Sequence, residues 1–422
     1  MSSDLLIRGA AVWTGGESAQ VQDLVVREDR IVSITNPGAA PTQTDAEVID
    51  GTGCTLIPGL IDAHVHLTTP SEAHQPRSNA DFRANAEPAE KALHGYRNAI
   101  KALGAGVTTL RVIGHRNSAE AELRDLIERG SYIGPRLKVA PWWVTATGGH
   151  GDMFIMKGVT RQPYDTADGP YECRKLVRMQ AAQGADFIKV MASGGLMSHG
   201  DKPEWPNYTV EELGAIVDEA HSLGLPVAAH AHSREGIRRS LFAGVDSIEH
   251  GTYLDDELRE VMVEQGTYLV PTLLISAEVR DKPPGSVVSP EAQRAMGDIL
   301  DHQIEQVAKA HQAGVKIAFG TDSSGNVCEF GRHARELALY VQAGMTPSQA
   351  LRTSSVYSAE LLGVSESIGA VEEGKAADLL LVEGDPLSDI SVLTRTGAIR
   401  RVVIRGVDVT AFSRLHSEVL MP

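Results

Sequence analysis

From about residue 56 to 365 the chain alternates short apolar runs with longer helical patterns, and this alternation constrains the fold more than any other feature. Eight runs read as strands: TLIPGLIDAHVH, VTTLRVIG, RLKVAPWWVT, ADFIKVMAS, LPVAAHAH, DSIEHG, TYLVPTL and VKIAFGTD. Stretches such as AEKALHGYRNAIKALGAG and TVEELGAIVDEAHSLG separate them with helical periodicity. Strands that alternate with helices pair in parallel, because each helix returns the chain to the edge where it started. Glycines at 184, 224, 244, 266 and 314 precede the next strand, and glycine most easily takes the left-handed conformation that ends a helix. Eight such units predict a (β/α)8 barrel over 56–365.

The two ends of the chain are different. LLIRGAAVWTG, VQDLVVREDRIVSI and AEVIDGTGCTLIPG near the start, and ADLLLVEGD and AIRRVVIRGVDVT near the end, read as strands punctuated by Gly and Pro. They predict a small β-sandwich built from 1–55 and 366–422. Long connections at 67–90, 145–170 and 277–292 are expected on one face of the barrel, as substrate-pocket and lid segments.

Lys189 sits within the apolar run ADFIKVMAS. An unpaired ammonium there is costly, so it needs a partner or a chemical change. His64 and His66 end one run, His230 and His250 fall at or near the ends of two others, and Asp322 ends a fourth. Side chains at the carboxyl ends of parallel strands converge on the active-site face of a barrel. The HxH spacing puts two imidazoles on one side of a strand. Imidazoles and carboxylates suit divalent ions, zinc first. Two ions need a bridging ligand with two oxygens. Lysine has none, but its neutral amine can add CO2 to give a carbamate, which has two, and burial favours the neutral amine. The expected set is therefore His64 and His66 on one ion, His230 and His250 on the other, carboxylated Lys189 between them, and Asp322 touching one.

Net charge is −16 over 422 residues, which disfavours nucleic acid and anionic membranes as partners. Cys54, Cys173 and Cys328 are scattered and form no C-x-x-C pair, as expected for a reducing cytoplasm. No signal peptide and no membrane span is read. The oligomeric state, homo-oligomer included, is left open.

The stretches PGLIDAHVHL, AAHAH, DSIEHG, FGTD and EEGKAADLLLVEGDPLSDI, with the strand lysine, resemble the amidohydrolase superfamily. TGGHGD, KVMASGGLMSHGD and the region around Tyr208 resemble its prolidase-like branch of metal-dependent dipeptidases and N-acyl amino acid amidohydrolases. The resemblance implies hydrolysis of a C–N amide bond in a small substrate with a free carboxylate, such as a dipeptide, an N-acyl amino acid or an amino-acid-conjugated xenobiotic. It implies Asp322 as proton shuttle, Tyr208 as hydrogen-bond donor to the carbonyl oxygen, and His150 as reader of the carboxylate. The alternatives are an imidazolonepropionase-like cyclic amide hydrolase, disfavoured by Lys189, and a carbamate, urea or lactone hydrolase. A catalytically silent structural relative is disfavoured by the intact ligand set. His232 is read as a packed rim residue, His115 and His199 as loop residues, the Trp142–Trp143 pair as barrel packing, and His333 as approaching the substrate.

Overall fold

The computed structural model describes residues 4–39, 46–71, 82, 85–114, 119–152, 166–196, 201–283, 290–325 and 327–419. Both ends of the chain meet in one mixed sheet of eight strands: β1 (Leu5–Val12), β2 (Gln20–Arg27), β3 (Arg30–Thr35), β4 (Glu47–Asp50), β5 (Cys54–Pro58), β14 (Leu379–Glu383), β15 (Ile399–Ile404) and β16 (Val407–Asp408). The seam between the ends is antiparallel, β14 on β5, from Leu379 opposite Pro58 to Glu383 opposite Cys54. Strand alternation assigns the faces. Leu379 and Leu381 pack with Leu5, Ile7, Leu24 and Leu56 in a core of the sheet's own. Leu380 and Val382 point the other way, into the main core. The pairing of the two ends follows the sequence expectation. The strands form a single connected sheet of eight.

Between these ends lie β6 (Leu60–Val65), β7 (Val107–Val112), β8 (Arg136–Val139), β9 (Trp143–Val144), β10 (Ile188–Met191), β11 (Val227–Ala231), β12 (Ser247–His250) and β13 (Tyr268–Val270). They form two parallel sheets, β6-β7-β8 and β9-β10-β11-β12-β13. Three of the eight expected runs differ in detail. TLIPGLIDAHVH breaks at Gly59, so that β5 joins the small sheet and β6 the parallel one. RLKVAPWWVT breaks between Val139 and Trp143, around Pro141, which has no N–H for a ladder. Its first half pairs with β7 and its second with β10. VKIAFGTD is extended but makes only bridges. The Lys316 carbonyl accepts from Leu269 N at 2.9 Å, Ala318 N donates to the Leu269 carbonyl at 2.9 Å, and the Phe319 carbonyl accepts from Ala63 N at 2.8 Å. This segment thus lies between β13 and β6.

Helices return the chain between strands, and local chemistry sets their ends. Thr209 and Glu212 form a capping box at the start of Val210–Ser222, and Ser233 and Asp255 cap the next two helices. All five glycines expected as stops have positive φ, between 72° and 88°. The expected loop 277–292 is helical at both ends, inside Leu273–Arg280 and Pro290–Ala313. Among the described residues no helix is long and apolar enough to cross a membrane.

Two glycines give opposite expectations. A Cβ on Gly59 would lie 2.1 Å from Thr108 Oγ1, at the crossing between the two sheets. Gly59→Ala is expected to cost ~1–3 kcal/mol by overpacking. Gly214 lies inside Val210–Ser222 with nothing within 4 Å of a Cβ, so Gly214→Ala is expected to stabilise by ~1 kcal/mol through helix propensity. Urea unfolding of the two variants checks both signs.

Candidate active site

The cluster is assembled from strand ends. Asp62, on β6, accepts from His64 N at 3.0 Å, from Thr321 N at 3.2 Å, from Thr321 Oγ1 at 2.6 Å and from His333 Nδ1 at 2.7 Å. It thereby ties β6 to the segment that carries Asp322, and Asp322 N completes the tie by donating to the His64 carbonyl at 2.8 Å. Asp322 Oδ1 lies 3.7 Å from His64 Nε2 and 3.4 Å from His66 Nε2. His64 Nδ1 donates to Glu249 and His66 Nδ1 to the Gly114 carbonyl at 3.2 Å. Carboxylate and carbonyl only accept, so Nδ1 carries the proton in both rings, and Nε2 is the atom turned to the side where Asp322 sits.

A second group adjoins the first. The rings of His230 and His250 are 4.6 Å apart, and His250 and His64 are 5.0 Å apart. His64, His250 and Asp322 have ligand atoms within 4.8 Å of one another, and so do His230, His232 and His250. Burial, with neighbouring imidazoles adding to it, holds His230 and His250 well below the usual histidine range and pulls His232 down to about 3. These rings are therefore neutral at neutral pH, the form that binds a metal. Either group could hold a metal ion.

Lys189 is the second residue of β10, paired beside β11, so its long side chain is what reaches the cluster. Its Nζ is fully buried and has no hydrogen-bond partner among the described residues. Burial pulls the ammonium down to about 8, against the opposing pull of Glu249 and Asp322.

Backbone strain concentrates here. Five non-glycine residues among those described have φ in the left-handed region, and His250 (70°), Asp322 (56°) and Thr272 (51°) are three of them. Thr272 Oγ1 meets His250 Nδ1 at 2.7 Å. Such conformations cost ~1–3 kcal/mol each and persist where surrounding structure holds them. Here they turn side chains out of strand alternation toward a common centre.

His150 also reaches the cluster. Its ring stacks on His230 at 4.2 Å, and its Nδ1 is 3.6 Å from Asp201 Oδ2. Thr145 Oγ1 donates to its carbonyl at 2.6 Å, fixing the loop. Three expectations need correction. Tyr208 is buried in the core and its hydroxyl donates to the Ala167 carbonyl at 3.0 Å, so its donor is already used. His333 does not approach a substrate space, because it is fully buried against Asp62. His232, expected at the rim, joins the histidine cluster, stacked on His250 at 4.7 Å. His115 and His199 lie outside the described residues.

Sequence reasoning also passed over Asp62, Arg111 and Glu249. Each is a charge buried inside an apolar run, the same signal that singled out Lys189.

With this geometry in place, comparison with known proteins gives a consistent result. The amidohydrolase family model matches residues 55–409. Ochratoxinase of Aspergillus niger is 32% identical over 367 residues, 82% of this chain and 74% of the enzyme. A solved Xaa-Pro dipeptidase with methionine bound in its active site superposes with a TM-score of 0.87 at 33% identity, covering 96% of this chain and 99% of that one. A prolidase complexed with N-methylphosphonate-L-proline superposes with a TM-score of 0.85 at 29% identity, covering 96% and 99%. The family generally uses divalent metals, in keeping with the clustered histidines. The fold, the strand-end histidines and these matches lead to one conclusion: the chain belongs to the amidohydrolase family, as a hydrolase of its prolidase-like branch.

Proposed function

We propose that this chain hydrolyses the amide bond of a dipeptide or N-acyl amino acid bearing a free carboxylate. The ligands would be His64, His66, His230, His250, Asp322 and a carbamate on Lys189, holding two divalent ions, zinc by choice of donors. In this reading the parallel strands close into a (β/α)8 barrel over 56–365, with 1–55 and 366–422 forming the accompanying β-domain.

The observation that carries the reading is the Lys189 amine, buried and unpartnered amid imidazoles and carboxylates. A bare ammonium does not belong there. Addition of CO2 forms an N–C bond, releases one proton and leaves an anion with two oxygens. That change removes the buried cation and supplies the oxygens that two adjacent ions require. The substrate class is supported by the relatives, a dipeptidase holding a free amino acid and a prolidase holding a proline derivative.

Bound divalent ions would supply a water acidified to near neutral pH and polarise the scissile carbonyl. This chain's residues do the rest. Asp322, within ligand distance of His64 and His250, would take a proton from the attacking water and deliver it to the departing amine. His150 lies beside His230, with Asp201 behind its Nδ1, and would meet the substrate carboxylate. Asp62 holds His64 and Thr321, and so Asp322, in register.

Four experiments test this. Lys189→Ala should lose metal and activity together, with short carboxylic acids restoring part of both. In the native chain, a pKa of about 8 leaves roughly a tenth of the amine neutral at pH 7 and about nine-tenths at pH 9. Reconstitution of metal-free protein with zinc at fixed dissolved CO2 should therefore speed up ~tenfold over that range. A pH-independent rate would remove the carbamate step.

Asp322→Asn should retain most substrate affinity and lower kcat by ~10²–10⁴-fold. Near-normal turnover would place the base elsewhere.

For the carboxylate, His150→Ala and replacement of the substrate carboxylate by an amide should each lower kcat/KM by ~10–100-fold. Together they should cost little more than either, because both delete one interaction. Additive losses would show that His150 does not read the carboxylate.

A further inference from the structure

The proposed ligands differ in what stands behind them. His66 donates to the neutral Gly114 carbonyl, and His250 meets the Thr272 hydroxyl. His64 instead donates Nδ1–H to the Glu249 carboxylate, Oε2 at 2.5 Å. The other oxygen of Glu249 accepts from Arg111 Nη2 at 2.7 Å and from the Ser247 hydroxyl at 2.6 Å. Arg111 Nε donates to the carbonyl of Ala63, the neighbour of His64, and its guanidinium lies 5.2 Å from the centre of the Phe187 ring. The relay thus joins β7, β12 and β6 through the protein interior, and Glu249 is fully buried.

A carboxylate with both oxygens engaged cannot rotate, so it holds the His64 ring in one tautomer and one orientation. One oxygen faces the Arg111 guanidinium and the Ser247 hydroxyl and the other the imidazole N–H, so every partner is a donor and the group is placed as a carboxylate ion-paired to Arg111. Pressed on Nδ1, it makes Nε2 a stronger electron-pair donor than the Nε2 of an imidazole backed by a carbonyl or hydroxyl.

We propose that Glu249, anchored by Arg111, is a positioning residue that makes the ion position served by His64 and His66 the tighter of the two. This rests on the reading of His64 as a ligand given above. A buried ion pair kept only for packing has no need to direct its second oxygen at an imidazole, because such pairs are often replaceable by apolar side chains.

The test is competition for zinc between the full-length protein and a chromophoric chelator, which resolves two dissociation constants and needs no turnover. Glu249→Gln should weaken the tighter constant by ~10–100-fold and leave the looser one unchanged. Thr272→Val, which removes the hydroxyl behind His250, should weaken the looser one instead. If Glu249→Gln does not fold, Glu249→Asp keeps the charge beside Arg111 while withdrawing the oxygen from Nδ1, and should show the same one-sided loss. Equal weakening of both constants, or an unchanged tighter constant in a folded variant, overturns the proposal. A wild-type protein that takes up fewer than two zinc ions would instead overturn the functional reading beneath it.

Discussion

Polar groups withdrawn from water must be partnered, and that constraint organises the centre of this protein. Asp62 answers it with four donors from β6, Thr321 and His333. Glu249 answers it with Arg111, Ser247 and His64. These two carboxylates sit behind the histidines and determine how β6, β7, β12 and the 315–323 segment meet. Among the described residues the Lys189 amine finds no such partner, and the functional proposal follows from that contrast.

Strain is arranged around the same centre. His250 and Asp322 have left-handed backbones that strands do not tolerate, and Thr272, which supports His250, shares the conformation. A regular strand ending would alternate successive side chains to opposite faces. The strained endings escape that alternation and gather side chains from separate strands within ligand distance of one another. The ~1–3 kcal/mol cost of each is small against the main hydrophobic core, in which Ile248, Leu269, Leu273 and Phe319 hold these strand ends in place.

The small sheet contributes at a distance. Its β14 presents Leu379 and Leu381 to its own core and Leu380 and Val382 to the main one, and Arg136 binds Asp378 at 2.7 Å across the boundary. The crossing at Gly59 is narrow enough that a single methyl would collide with Thr108. The first histidine pair begins only five residues later, so the register of β6 is tied to this crossing.

How much of this could be read in advance depended on whether the signal was local. The alternation of runs, the glycine helix stops, the pairing of the two ends and the His, Lys and Asp residues were legible because each is written in consecutive residues and periodicity. The breaks at Gly59 and Pro141 were written there too, but two strands joined by one residue look like one. Tyr208 and His232 were misjudged for a different reason: the Ala167 carbonyl and the second imidazole cluster that settle their roles come from distant parts of the chain. Asp62, Arg111 and Glu249 gave the same local hint as Lys189, a charge in an apolar run, yet their partners lie up to 271 positions away. The sequence by itself determined which side chains face inward and at which strand they stand, because burial and strand period act along the chain. Only the tertiary structure decided which of them touch, because hydrogen bonds and desolvation depend on distances in space that chain order does not specify.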